Sequence, residues 1–191
     1  DLSYYGSDRY KSLKLPELVE RLSDIQGVEW IRLHYAYPAQ FPYNLLKVMR
    51  ERENVCKYLD IALQHISDKM LKLMRRNFTK QETFDLIETI RNEVPGIHIR
   101  TTMLLGHPGE TDEDVEELKE FIEKIRFERL GAFAFSNEEG TYAFENYQDN
   151  VHEEVKLRRV DEIMAIQQKI SAEINQTKIG RKLKVIIDRQ D

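Results

Sequence analysis

The sequence predicts an α/β fold with a parallel sheet, read as a partial (open) TIM-type βα barrel, and three observations predict it. Short apolar runs alternate with amphipathic stretches, as repeated βα units require. Capping and chain-breaking residues fall between those runs. Polar residues gather just after each apolar run, where a parallel sheet presents the carboxyl ends of its strands to ligands.

The chain opens on Asp1-Leu2-Ser3-Tyr4-Tyr5-Gly6, which reads as the end of an element that starts upstream. Pro16 suits an early helical position, and Leu15, Leu18, Val19 and Leu22 form one face of a first helix. Residues 30–35 read as a strand ended by a turn at Pro38, 44–52 as a helix, and 58–63 as a strand closing on Gln64-His65. Ser67 caps a short helix to Met74. Thr79, with Glu82 three residues on, forms a capping box for a helix to Asn92, and Pro95-Gly96 breaks it. Residues 97–105 are a nearly all-apolar strand carrying Arg100, Thr101 and Thr102. Thr111 caps an acidic helix to Ile125 whose apolar stripe is Val115, Leu118, Phe121 and Ile122. A strand at 130–135 and a long helix over about 151–175 follow, and Gly180 stops that helix. Residues 183–188 read as one more strand.

Four strands, each with a helix after it, fall short of the eight pairs of a closed barrel. The chain is then either an open α/β sheet or part of a barrel, and the barrel is the favoured reading, over 1–178. Residues 179–191 then begin a second, small β domain that the chain leaves incomplete.

With 41% hydrophobic and 33% charged residues, the composition is that of an ordinary globular protein. No apolar run approaches the roughly 20 residues of a membrane span, so no membrane partner is expected. The single cysteine, Cys56, excludes disulfides within the chain and suggests a reducing, cytoplasmic setting. Its plainer role is a small buried hydrophobe just before a strand. A net charge of −5 argues against a large phosphate-binding face and so against nucleic acid.

Five loops carry polar residues onto one predicted rim: Tyr4 and Tyr5; His34, Tyr35 and Tyr37; Gln64 and His65; Gly106 to Glu110; and Ser136 to Thr141. In Gly106-His107-Pro108-Gly109-Glu110, the glycines let backbone approach a flat ligand, although a tight strand-to-helix turn accounts for them equally. Arg100 lies in an apolar strand, so it either pairs with a carboxylate inside the barrel or awaits an anionic ligand group. His34, His65 and His107 end three successive strands, as a metal-dependent barrel hydrolase would need, but Asp60 is the one obvious acidic ligand. Hydrogen-bonding loop histidines are the plainer reading. The acidic stretch 110–128 is the solvated face of a helix or a docking face for a basic protein.

Several words of the sequence are shared with a known family: residues 30–38 (WIRLHYAYP), 57–65 (KYLDIALQH), 71–76 (LKLMRR), Arg100-Thr101-Thr102, the Gly106 to Thr111 turn and Asn137-Glu138-Glu139-Gly140-Thr141. In this order they resemble the RimO-type methylthiotransferases, radical S-adenosylmethionine enzymes of the MiaB/RimO family. The MiaB side, which modifies tRNA, usually has Ser-Pro-His-Pro-like and Gln-Ser-Gly-Ser segments where this chain has Tyr35-Ala36-Tyr37-Pro38 and Gln64-His65-Ile66-Ser67. The last residues resemble the start of the TRAM domain that follows in this family.

The resemblance implies a barrel of the radical S-adenosylmethionine class and S-adenosylmethionine as a cofactor. It also implies two [4Fe–4S] clusters in the full-length protein, and an electron donor protein as a partner. The substrate implied is an aspartate β-carbon of the basic small-subunit ribosomal protein 12, which agrees with the acidic composition. The motif positions imply that Gln64, Arg100, Thr102 and Gly106 line the S-adenosylmethionine site, Gly106 meeting the adenine with its backbone. Catalytic residues are not identified. Ala62 and His107 replace the family's usual Pro and Phe. The Cys-x-x-x-Cys-x-x-Cys loop is missing, and Cys56 cannot replace three thiolates. The expectation is a fragment, active in full length and inactive alone. The alternatives are a MiaB-type tRNA adenosine methylthiotransferase, a catalytically inactive binding fragment, and the metal-dependent hydrolase.

Overall fold

The computed structural model describes residues 2–186. A 3-10 turn (Leu2–Tyr4) leads into α1 (Ser7–Tyr10) and α2 (Leu15–Ser23), followed by β1 (Ile31–Ala36) and α3 (Asn44–Glu51). Then come β2 (Val55–Gln64), α4 (Asp68–Leu73), α5 (Lys80–Glu93), β3 (His98–Leu105), α6 (Asp112–Ile125) and β4 (Arg129–Ala134), with α7 (Tyr142–Asn146) and α8 (Glu153–Gln176) last.

All neighbouring strands pair in parallel, in the order β1-β2-β3-β4. Strand order that follows chain order, with a helix after each strand, makes a sector of a βα barrel. It also places every strand's carboxyl end on one rim. The alternation of side chains sorts the two faces of this sheet. In β3, Ile99, Thr101, Met103 and Leu105 are buried, and His98, Arg100, Thr102 and Leu104 between them are half-buried. Ile99, Met103 and Leu105 belong to one core with Leu59, Ile61 and Leu63 of β2, Leu45 and Met49 of α3, Leu86 and Ile90 of α5 and Leu118 and Ile122 of α6. The opposite, concave face is left open. Two charged groups of α8, Lys156 and Arg159, lie buried along the same helix as the core residues Ile163 and Ile170.

Local chemistry fixes the helix starts. Ser67 Oγ accepts the Met70 N–H, and both Thr79–Glu82 and Thr111–Asp114 form complete capping boxes. Asp114 also accepts the Ser67 hydroxyl at 2.7 Å and sits 2.5 Å from Lys69 Nζ, so it ties α4 to α6. No helix among the described residues is long and apolar enough to cross a membrane.

Three expectations need correction. β2 begins at Val55, so Cys56 is a half-buried strand residue rather than a buried one before the strand. The helix α7 was not foreseen: it has five residues, none buried, and is started by Thr141 Oγ1 accepting the Phe144 N–H. The described part of the expected last strand, 183–186, has no regular structure, and Leu183, Val185 and Ile186 are exposed. An isolated β segment has no neighbour to take up its backbone hydrogen bonds. The rest of that expected strand lies outside the described residues.

Candidate functional site

The rim is built as the sequence implied. The 3-10 turn joins it at the end of β1, where Ser3 Oγ accepts the Tyr37 N–H at 2.9 Å. Two strand ends beside it are backbone-strained: Tyr35 has φ 62° and Gln64 φ 73°, each at an irregularity in strand register. A side-chain-bearing residue in the left-handed region costs on the order of 1–3 kcal/mol.

The concave face bears the charge. Arg32, His34, Tyr58, Asp60, Ala62, Gln64, Arg100, Thr102 and Phe133 all project there by strand alternation. Asp60 is the one carboxylate within the four strands and is only 2% exposed. Its Oδ2 accepts Arg100 Nη1 at 2.5 Å and lies 3.8 Å from His34 Nδ1. Asp60 and Arg100 sit opposite one another in the β2–β3 register. The bond to Asp60 holds the Arg100 guanidinium still more firmly in its charged form. Beside them the Arg32 guanidinium lies 4.3 Å from the Tyr58 ring centre, and the His34 ring packs against the same ring at 5.8 Å, tilted by 57°. Arg100 therefore pairs inside the barrel, the first of its two sequence readings.

Gly106 serves a different need. With φ 79°, a Cβ here would stand 2.2 Å from Lys156 Cγ of α8. Its N–H donates to Glu110 Oε1 at 2.8 Å, so this donor is already used within the protein. The same Glu110 oxygen accepts Arg159 Nη1 at 2.9 Å, and Arg159 Nη2 reaches Asp112 at 2.8 Å. His65 Nδ1 accepts the Ser67 N–H at 3.0 Å, which leaves the ring proton on Nε2, 3.6 Å from Glu110 Oε2. This buried cluster clamps the Gly106 turn to α8 and was not anticipated. Its signal lay in charged residues at core-facing positions of α8, Lys156 and Arg159.

Among the four residues expected to line a cofactor site, Gln64, Arg100 and Thr102 share the concave face of β2 and β3. Gly106 stands at the end of β3 with its N–H turned inward. The three strand-end histidines do not converge. His34 is open to the cavity and His65 is buried against Glu110. His107 packs on Phe135 and Tyr147, and burial pushes its pKa down. Among the described residues, no group of three or more His, Cys, Asp or Glu is placed to hold a metal ion. The expected acidic face is also partly spoken for: Glu110 and Asp114 are buried, and Lys80 pairs with Glu117.

The model of the radical SAM superfamily matches residues 2–122. The chain is 64% identical over all 191 residues to the ribosomal protein uS12 methylthiotransferase RimO of Parabacteroides distasonis, covering 44% of that protein. It is 67% identical over 189 residues to the RimO of Bacteroides thetaiotaomicron, covering 99% of this chain and 43% of that one. The chain thus spans less than half the length of these curated relatives. Among solved structures it is similar to coproporphyrinogen III oxidase (HemN) of Escherichia coli, a radical SAM enzyme. That match has a TM-score of 0.64 at 16% identity over 82% of this chain and 37% of HemN, a likeness of fold.

Proposed function

The chain belongs to the radical SAM superfamily, and on that premise we propose that it forms part of the barrel of a methylthiotransferase acting on ribosomal protein uS12. The observation that carries this reading is the identity of 64–67% along the whole chain to relatives of that name. The modified position is the β-carbon of an aspartate, and the setting is cytoplasmic with a protein electron donor.

S-Adenosylmethionine, when bound, supplies both the radical that removes hydrogen and the methyl group that is transferred. The concave face fits its polar end. Arg100 has one N–H bonded to Asp60, and 36% of its side chain is exposed, so its other N–H groups can meet a carboxylate. Thr102 stands two residues further along the same face, and the strained backbone at Gln64 fixes where its amide enters the rim. Gly106 contributes shape rather than its N–H, because Glu110 holds that donor.

An iron–sulfur cluster does not fit the residues of this chain. Cys56 is the single cysteine, lies at the amino-terminal end of β2 away from the rim, and burial pushes its thiol up. In this reading the cluster ligands lie in the part of the curated relatives that the chain does not span, since it covers 44% of one of them. Residues 179–191 begin a TRAM-like domain in this reading.

The test is an assay of the full-length, cluster-loaded protein with purified uS12 and with tRNA, read by mass spectrometry. A methylthio group on an aspartate of uS12 supports the reading. Modification of tRNA, or of neither, overturns it.

A further inference from the structure

The face that would meet the cofactor carries Arg32, Arg100 and Arg129 from its strands and only one carboxylate, Asp60. The chain as a whole carries a net charge of −5, so this face is of the opposite sign to the average. A buried aspartate there is costly unless its bonds serve something. Asp60 is 2% exposed, and one of its oxygens faces side chains of two other strands: Arg100 of β3 at 2.5 Å and His34 of β1 at 3.8 Å. Arg100 is paired through Nη1 alone, and 36% of its side chain remains exposed. One edge of the guanidinium is anchored and the other is open.

We propose that Asp60 is a positioning residue that locks the Arg100 guanidinium so that its free edge forms, with His34 beside it, a subsite for a ligand carboxylate. Anchoring one nitrogen of a planar fork removes the rotamer freedom that a long side chain otherwise loses on binding. Asp60 also lowers the net positive charge of the face, so the subsite accepts one carboxylate and does not trap anions at large. This inference rests on the methylthiotransferase reading, in which two ligands bring a carboxylate: S-adenosylmethionine through its amino-acid end and the substrate through its aspartate side chain.

The experiment is a double-mutant cycle in the full-length protein, with Asp60→Ala, Arg100→Ala and both together. Binding of S-adenosylmethionine alone and of uS12 alone is measured by equilibrium dialysis, and unfolding midpoints are recorded. The expected result is that each single change weakens binding of the same ligand about tenfold, and that the double variant binds no more weakly than Arg100→Ala. The ligand affected identifies the source of the carboxylate. Asp60→Asn keeps an oxygen for Nη1, recovers part of the loss, and serves if Asp60→Ala does not fold. Two results overturn the positioning role: wild-type binding by Asp60→Ala where Arg100→Ala is impaired, or losses that multiply in the double variant, as a general structural defect would produce. Unimpaired binding of both ligands by Arg100→Ala overturns instead the placement of Arg100 in the site.

Discussion

At the scale of single residues, two positions carry consequences that a sequence could not assign. Burial works to raise the pKa of Asp114, but bonds from Lys69, Ser67 and Thr111 outweigh it and bring it down to about 2. An unfolded aspartate titrates near about 3.9, so the folded state gains on the order of 2 kcal/mol from this group. Because the folded pKa is the lower one, that stability is present above about pH 4 and is lost as pH falls towards 2. Urea unfolding of wild type and Asp114→Asn should therefore differ at pH 7 and converge near pH 2; an equal gap at both would remove Asp114 from the account. Gly106 makes the second prediction. Its positive φ and the 2.2 Å approach to Lys156 Cγ mean that Gly106→Ala destabilises by about 1–3 kcal/mol. Lys156 cannot simply swing away, since its Nζ is held by Asp149 and the Phe135 carbonyl. A denaturant midpoint unchanged by that substitution would show that the turn yields. The glycine was visible in the sequence, but the reason for it sits fifty residues further on in α8.

At the scale of elements, what was legible was local. Thr79 and Glu82 form their capping box within one turn of chain, so the sequence contains the whole interaction. Thr79→Ala should cost about 1 kcal/mol in unfolding free energy, with α5 amides near its start exchanging faster; unaltered exchange there would mean that packing alone holds the end. The β strands were legible for the same reason, through apolar runs between breakers. The helix α7 was not, because it buries none of its five residues and its position depends on distant partners. Arg75 lies 4.4 Å from the Tyr142 ring centre, and Tyr147 Oη donates to the Leu73 carbonyl. Likewise the clamp of Glu110 by Arg159 spans 49 positions and left only the oddity of charges at core spacing in α8.

At the scale of the molecule, the parallel order β1-β2-β3-β4 explains why residues far apart in sequence share one chemistry. It carries Gln64, Arg100 and Thr102 to one face, and brings the Gly106 turn to the same rim. The helices meanwhile bury the other face and leave a separate groove between α5 and α6, lined by Phe84, Arg91, Glu117 and Lys124. Composition and motif spacing made the rim visible, but the sequence could not decide whether Arg100 was paired, since that depends on the register of β2 against β3. The central claim is that the concave face, and not the outer groove, takes the cofactor. Hydrogen–deuterium exchange of the full-length, cluster-loaded protein, with and without S-adenosylmethionine, tests this directly. The account predicts new protection at the β2 and β3 ends, residues 62–66 and 100–107, with α5 and α6 unchanged; protection confined to α5 and α6 would contradict it.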